Sequence, residues 1–253
     1  ADDMGLGKTV QALSFLQFYR DTHNALKAMV VCPTTLMFNW ENEIKKFTPG
    51  LTYHIHHGSD RSRSKEAFDA YNVIITTYGT LRSDIKLLTD MRFDYVILDE
   101  SQAIKNPQSK VTKAAGLLLS KNRLCLSGTP LQNNTFDIYA QMNFLNPGML
   151  GSIEYFRNEF ATPIDKFGEQ DRKEHLKKLL YPFILRRTKE QVAKDLPEKT
   201  ETILFCEMQA GQREIYEAFR MDYRNKILGV INEQGIQKSQ LTILQGLMKL
   251  RQI

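Results

Sequence analysis

Two clusters in this chain of 253 residues have the residue types and spacing of phosphate chemistry. The first is Asp3-Met4-Gly5-Leu6-Gly7-Lys8-Thr9, running into a stretch whose apolar positions Val10, Leu13, Phe15 and Leu16 suit a helix. Glycines let the backbone turn tightly with its N–H groups facing a phosphate. Lys8 supplies a charge for the β- and γ-phosphates, and the Thr9 hydroxyl suits Mg²⁺. The strict pattern has Gly where Asp2 stands, so the match departs at one position. The second cluster is Tyr95-Val96-Ile97-Leu98-Asp99-Glu100, an apolar strand ending in two carboxylates. There Asp99 can hold Mg²⁺ through water, and Glu100 can orient and deprotonate the water that attacks a γ-phosphate. Alone, each has a plain reading, a glycine turn before a helix or an acidic turn. Together in one sheet they specify a site for ATP and Mg²⁺, with Lys8 and Glu100 as its catalytic candidates.

Other phosphate-loop chemistries fit less well. A guanine-nucleotide switch needs Gly two residues after the strand-end Asp and an Asn-Lys-x-Asp reader. Here Asp99 is followed by Glu100-Ser101-Gln102, and Asn225-Lys226 by Ile227-Leu228. A small-metabolite kinase has no need of an acidic pair followed by a Ser-Gly-Thr-Pro strand end such as Ser127–Pro130.

These residues must be held by strands and helices, and the hydropathy supplies both. Apolar runs at Ala28–Cys32, Tyr53–Ile55, Asn72–Thr76, Tyr95–Leu98 and Arg123–Leu126 alternate with helical patterns at Val10–Tyr19, Leu36–Phe47 and Leu81–Leu88. Strands without polar alternation, separated by helices, imply a doubly wound α/β domain. Its parallel sheet is covered on both faces and binds ligands at the carboxyl ends of its strands. After Gln132 the periodicity is mostly helical as far as Leu180, a basic segment follows, and Thr200–Glu207 reads as one more strand. Helices near Gln209–Leu228 and Ser239–Leu250 finish the chain. The expected organisation is a sheet domain over residues 1–135 and a helical extension with one returning strand over residues 136–253. The chain opens on the phosphate loop and stops within a helix, which reads as a piece of a longer protein.

Composition narrows the partners only modestly. The net charge of +5 permits a polyanion. No apolar run approaches the ~18 residues of a membrane span. Cys32, Cys125 and Cys206 each sit in an apolar run, lack CxxC spacing, and read as buried free thiols of a reducing compartment. His54 and His56 share a strand face without an accompanying carboxylate or cysteine in the local sequence, so a satisfied strand end is preferred over a metal site.

The motifs resemble, in order along nearly the whole chain, the SWI/SNF family of DNA-dependent ATPases in helicase superfamily two. The resemblance is carried by Asp2–Thr9, Cys32-Pro33-Thr34 with Trp40, His57-Gly58-Ser59, and Thr76-Thr77-Tyr78. It continues through Asp99–Gln102 with Lys105-Asn106, Leu126–Asn133, and Leu185-Arg186-Arg187 leading to Leu196-Pro197. The family tolerates Asp at the position of Asp2. The resemblance implies a RecA-like first lobe that translocates on double-stranded DNA together with a second lobe of the same full-length chain.

It further implies a catalytic, coupling role for Gln102, nucleotide sensing by Ser127 and Thr129, and a share in DNA coupling for Gln132 and Asn133. Pro33, Thr34, Thr76, Thr77 and Tyr78 would hold DNA phosphates. Thr34 and Thr77 are equally suited to capping the next helix, and Ser127 and Thr129 to capping a turn before Pro130. Arg186, Arg187 and Lys189 would brace the two lobes and touch DNA, or form a solvated charge run. Trp40 reads as core packing rather than a base-stacking platform.

An arginine finger from the second lobe is worth ~10³–10⁵ in rate, so the first lobe alone is expected to turn over little ATP. A strand-separating helicase or restriction-type motor, or an ATP-binding interaction module without turnover, are the alternatives. A protein substrate on DNA is compatible with the resemblance. The short connection between Ser127–Pro130 and Arg186-Arg187 leans towards a bacterial source, hence cytoplasm and nucleoid, with the nucleus for a eukaryotic one.

Overall fold

Ala28-Met29-Val30-Val31-Cys32 has no polar side chain to turn towards water, and it forms β1 (Ala28–Cys32), buried along its whole length. In the computed structural model, which describes residues 1–128, 135–193, 195, 200–235 and 239–253, β1 is the central strand of a five-stranded sheet. The others are β2 (Tyr53–His56), β3 (Val73–Thr77), β4 (Arg92–Asp99) and β5 (Leu119–Leu126), in the order β2-β3-β1-β4-β5. Every pairing is parallel, as strands buried on both faces require.

Alternation along the strands splits the core in two. Val30, Ile75 and Ile97 face α1 (Lys8–His23) and α2 (Met37–Phe47), where Leu13, Leu16, Trp40 and Ile44 complete the packing. Met29, Val31, Ile74, Val96 and Leu98 face the opposite way. They meet Leu81 of α3 (Tyr78–Ser83), Leu88 of α4 (Ile85–Leu88) and Ala114 and Ala115 of α5 (Lys110–Leu117). The single helix expected over Leu81–Leu88 is broken at Asp84, whose carboxylate is taken up by His56 and Arg61.

A third cluster joins α6 (Thr135–Leu145), α7 (Ile153–Phe156), a π turn at Arg157–Ala161, α8 (Thr162–Phe167) and α9 (Gln170–Leu180). It is built around Ile138, Tyr139, Phe156, Phe160, Leu176 and Leu180. A short α10 (Lys189–Val192) follows, opened by a capping box at Thr188 and Gln191.

Contacts divide the chain into two units, Ala1–Leu196 and Pro197–Ile253. The second holds α11 (Ala210–Gln234) and α12 (Gln240–Gln252). Gly246 allows these helices to approach closely, because a Cβ there would lie 2.9 Å from the ring of Tyr223. The strand expected at Thr200–Glu207 is not formed: residues 200–209 have no regular secondary structure, and Ile203, Leu204 and Phe205 are exposed. An apolar run becomes a strand only where a neighbouring backbone takes its N–H and C=O groups, and the described residues offer this one none. For the same reason Cys206 is exposed, whereas Cys32 is buried and Cys125 partly so. Among the described residues, no helix is long and apolar enough to cross a membrane.

Candidate functional site

The sheet register brings the motifs together. Cys32 lies opposite Thr77, and Asp99 opposite Leu126, so the strands end nearly in line. The residues that follow (Pro33, Tyr78, Glu100 and Ser127) therefore emerge along one edge.

The phosphate loop lies beside this edge. Gly5 and Gly7 have φ of 85° and 73°, a region that side chains with a Cβ resist. Gly7 caps α1, accepting from the Gln11 N–H at 2.9 Å. The first turn of α1 carries no acidic residue, which leaves its positive end to an anion. Lys8 donates from Nζ to the carbonyls of Asp2 (2.7 Å) and Asp3 (3.1 Å). Gly128, just beyond β5, abuts the loop: a Cβ there would stand 2.9 Å from Met4 Cγ.

Asp99 ends β4 and is 6% exposed. Its Oδ2 accepts the indole N–H of Trp40 at 2.8 Å, and its Oδ1 accepts the Glu100 N–H at 2.9 Å. The Tyr78 hydroxyl donates to its backbone carbonyl at 2.7 Å. Burial pushes the Asp99 carboxyl above the usual carboxylate range. The Trp40 and Glu100 donors pull it down, the Glu100 charge pushes it up, and Lys8 pulls it down. A buried carboxylate near Lys8 of the glycine loop, with the Thr9 hydroxyl next in sequence, has the hard-oxygen chemistry that suits Mg²⁺.

Glu100 adopts the left-handed region at φ 49°, unusual for a residue with a side chain. Gln102 donates from Nε2 to Glu100 Oε2 at 2.6 Å, and its Oε1 accepts from the Ser127 hydroxyl at 3.2 Å. One amide thus links the acidic strand end to the end of β5, which is the kind of path that coupling through Gln102 and Ser127 requires.

The predicted DNA-facing residues divide. Thr34 and Thr77 line an open concavity of about 440 Å³ together with His57, Gly58, Arg61 and Arg82. Thr77 also caps α3 by accepting the Thr80 N–H at 3.2 Å. Thr76 and Tyr78 turn inward. The Thr76 hydroxyl donates to the His56 carbonyl at 2.9 Å, and Tyr78 is committed to Asp99. Pro33 leads into the short turn at Thr34–Leu36. Thr129, Gln132 and Asn133 lie outside the described residues. Arg186 and Arg187 sit not at this concavity but at the phosphate loop, where Arg187 binds the Asp2 carboxylate.

Sequence reasoning did not single out Arg61 and Arg82 at the concavity. Arg61 stands in a polar stretch without periodicity, and only the fold brings it to Asp84, which it binds through Nε and, at 2.8 Å, Nη2. That pairing holds Asp84 below the usual carboxylate range. His56 shares the same carboxylate at 2.9 Å. Trp40 is core as expected, but its N–H adds a link to Asp99 that no local pattern reveals.

Comparisons with known proteins agree with this layout. The profile described as the SNF2-related domain matches residues 1–253. The chain is 37% identical to the TATA-binding protein-associated factor BTAF1 of Arabidopsis thaliana, over 92% of this chain and 13% of that protein. It is 34% identical to the putative ATP-dependent helicase/translocase YwqA of Bacillus subtilis, over 100% of this chain and 28% of that one. A solved structure, the Sulfolobus solfataricus SWI2/SNF2 ATPase core in complex with dsDNA, superposes with a TM-score of 0.72 at 42% identity. The match covers 100% of this chain and 52% of the solved chain. The chain therefore spans under a third of these curated relatives and about half of the solved core.

Proposed function

The chain belongs to the family of the SNF2-related domain, and from that premise we propose that it is the ATP-binding RecA-like lobe of a motor that translocates on double-stranded DNA. The observation that carries the reading is the Ser127–Gln102–Glu100 relay beside the Lys8 loop. It ties the residue proposed to activate water to the end of β5, beside the loop proposed to hold the phosphates. In this reading Lys8 and the N–H groups of Asp3–Thr9 bind the phosphates. Glu100 takes a proton from the attacking water as its oxygen bonds to the γ-phosphorus and ADP departs. Mg²⁺, held by Thr9 and Asp99, would neutralise charge on the phosphate oxygens.

Thr34, Thr77, His57, Arg61 and Arg82 then meet the phosphate backbone of the duplex. Such contacts fix position without reading sequence. The Sulfolobus core was solved in complex with dsDNA, which favours a duplex as the partner. The helices α6 to α10 complete the lobe, and a second RecA-like lobe of the full-length chain supplies the arginine finger. The relative named for association with the TATA-binding protein makes a protein on DNA a candidate object of remodelling.

The test is ATP turnover by the full-length protein with and without nucleic acid. Turnover should rise severalfold with duplex DNA, and Arg61→Ala with Arg82→Ala should weaken that stimulation and its salt dependence. Equal turnover with and without DNA rejects the motor reading. Strand displacement by the same protein would favour a helicase instead.

A further inference from the structure

Residues Leu185–Lys189 run beside the start of the phosphate loop as a neighbouring strand would. The Ala1 amino group donates to the Leu185 carbonyl at 2.8 Å, and the Asp3 N–H to the Arg187 carbonyl at 3.0 Å. Between them Asp2, 3% exposed, turns its carboxylate onto Arg187. It accepts the Arg187 backbone N–H at 3.0 Å on Oδ1, and Nε at 3.1 Å together with Nη2 on Oδ2. The same Nη2 donates to Gln11 Oε1 of α1 at 2.9 Å. Asp3 is held as well: its Oδ2 accepts the Lys189 N–H at 3.1 Å, and Arg186 stands 3.9 Å from its Oδ1. The Lys189 side chain crosses Gly5, where an added Cβ would lie 3.6 Å from Lys189 Cε.

The departure at the first loop position thus has a physical reason. A buried carboxylate is costly unless it is paired and hydrogen-bonded, so Asp2 in place of Gly demands a partner, and Arg187 supplies it. The two residues clasped from outside, Asp2 and Asp3, are also the two whose carbonyls receive the Lys8 ammonium. One short path therefore runs from Arg187 through the Asp2–Asp3 backbone to Lys8.

We propose that Arg187 is a positioning residue for the phosphate loop, and that its clasp on Asp2 ties the nucleotide affinity of Lys8 to the placement of Leu185–Lys189. The proposal rests on the reading of Lys8 as a phosphate ligand. Coupling of this kind is reciprocal, so bound nucleotide must in turn steady the Leu185–Lys189 segment. Arginine is required rather than any cation, because two of its nitrogens and its own N–H engage one carboxylate at once.

Two measurements on the full chain test it. Titration calorimetry with Mg·ADP should show Arg187→Gln and Asp2→Asn each weakening affinity by about tenfold or more, with Arg187→Lys between them and wild type. The double variant should be no weaker than the worse single one, since both break the same link. Independently, hydrogen exchange of the wild-type protein should slow at Leu185–Lys189 when Mg·ADP is added. Arg187→Gln that melts like wild type and binds Mg·ADP equally well overturns the proposal. So does unchanged exchange at this segment, which needs no variant to fold. Lys8→Ala separates the two readings. If it retains wild-type affinity, the nucleotide site itself is misplaced. If it loses affinity while Arg187→Gln keeps it, only the clasp fails.

Discussion

Glu100→Gln should lower ATP turnover by the full-length protein about 10²–10⁴-fold and leave nucleotide binding nearly unchanged, the range expected if Glu100 is the general base proposed above. The substitution conserves size and one carbonyl oxygen, so the contact from Gln102 Nε2, 2.6 Å in the native protein, can persist. What is lost is the ability to take a proton from water. The backbone at residue 100 stays left-handed with either side chain, at a cost of order 1–3 kcal/mol that the surrounding bonds sustain. Lys8→Ala should behave oppositely, losing nucleotide affinity and turnover together, because it removes a ligand rather than a proton acceptor. Phosphate release by the full-length protein, alongside a fluorescent-nucleotide titration, distinguishes the two. Turnover of Glu100→Gln within tenfold of wild type would place the base elsewhere.

The division between what was legible in the sequence and what was not follows the range of the forces involved. Strand and helix periodicity is local, so the parallel α/β sheet could be read from Ala28–Cys32, Asn72–Thr76 and Tyr95–Leu98 without structure. The same local logic misled at Thr200–Glu207. There the apolar run Ile203-Leu204-Phe205-Cys206 is present, but the strand partner that would realise it is not among the described residues. The contacts of Lys8 and Gln102 reach neighbours within six residues, apart from the link from Gln102 to Ser127. Contacts made across the fold were invisible. Arg187 meets Asp2 at a separation of 185 residues, and Arg61 meets Asp84 from the far side of β3 in the sequence. Arg61 stood in a segment readable only as polar, and Arg187 was expected at a brace or a DNA surface rather than on Asp2. Thr76 shows the converse: a motif residue expected at a DNA phosphate turns its hydroxyl to the His56 carbonyl, because its position on β3 faces the core.

Trp40→Phe raises the Mg²⁺ concentration needed for half-maximal turnover about 10–100-fold, the usual effect of losing a donor that orients a metal-binding carboxylate. Trp40 is fully buried, and its indole nitrogen is 2.8 Å from Asp99 Oδ2. Phenylalanine keeps most of the packing around Leu13, Leu16 and Ile44 but leaves that oxygen without its donor. Asp99 already sits above the ordinary carboxylate range because of its burial. Removing a hydrogen bond that favours its charged form raises it further and frees the carboxylate to turn away from a bound cation. The smaller ring also leaves a cavity worth roughly 1–3 kcal/mol, so a lower melting temperature alone decides nothing. The Mg²⁺ dependence does: excess Mg²⁺ should restore turnover if the indole positions Asp99, and should restore none of it if Trp40 merely fills space. Residues 1–253 contain one Trp, so this lobe on its own provides a readout. Its fluorescence should shift as Mg·ADP binds, and the shift should disappear in Asp99→Asn. An emission spectrum indifferent to Mg·ADP under saturating conditions would mean that the indole does not sense the metal-binding carboxylate.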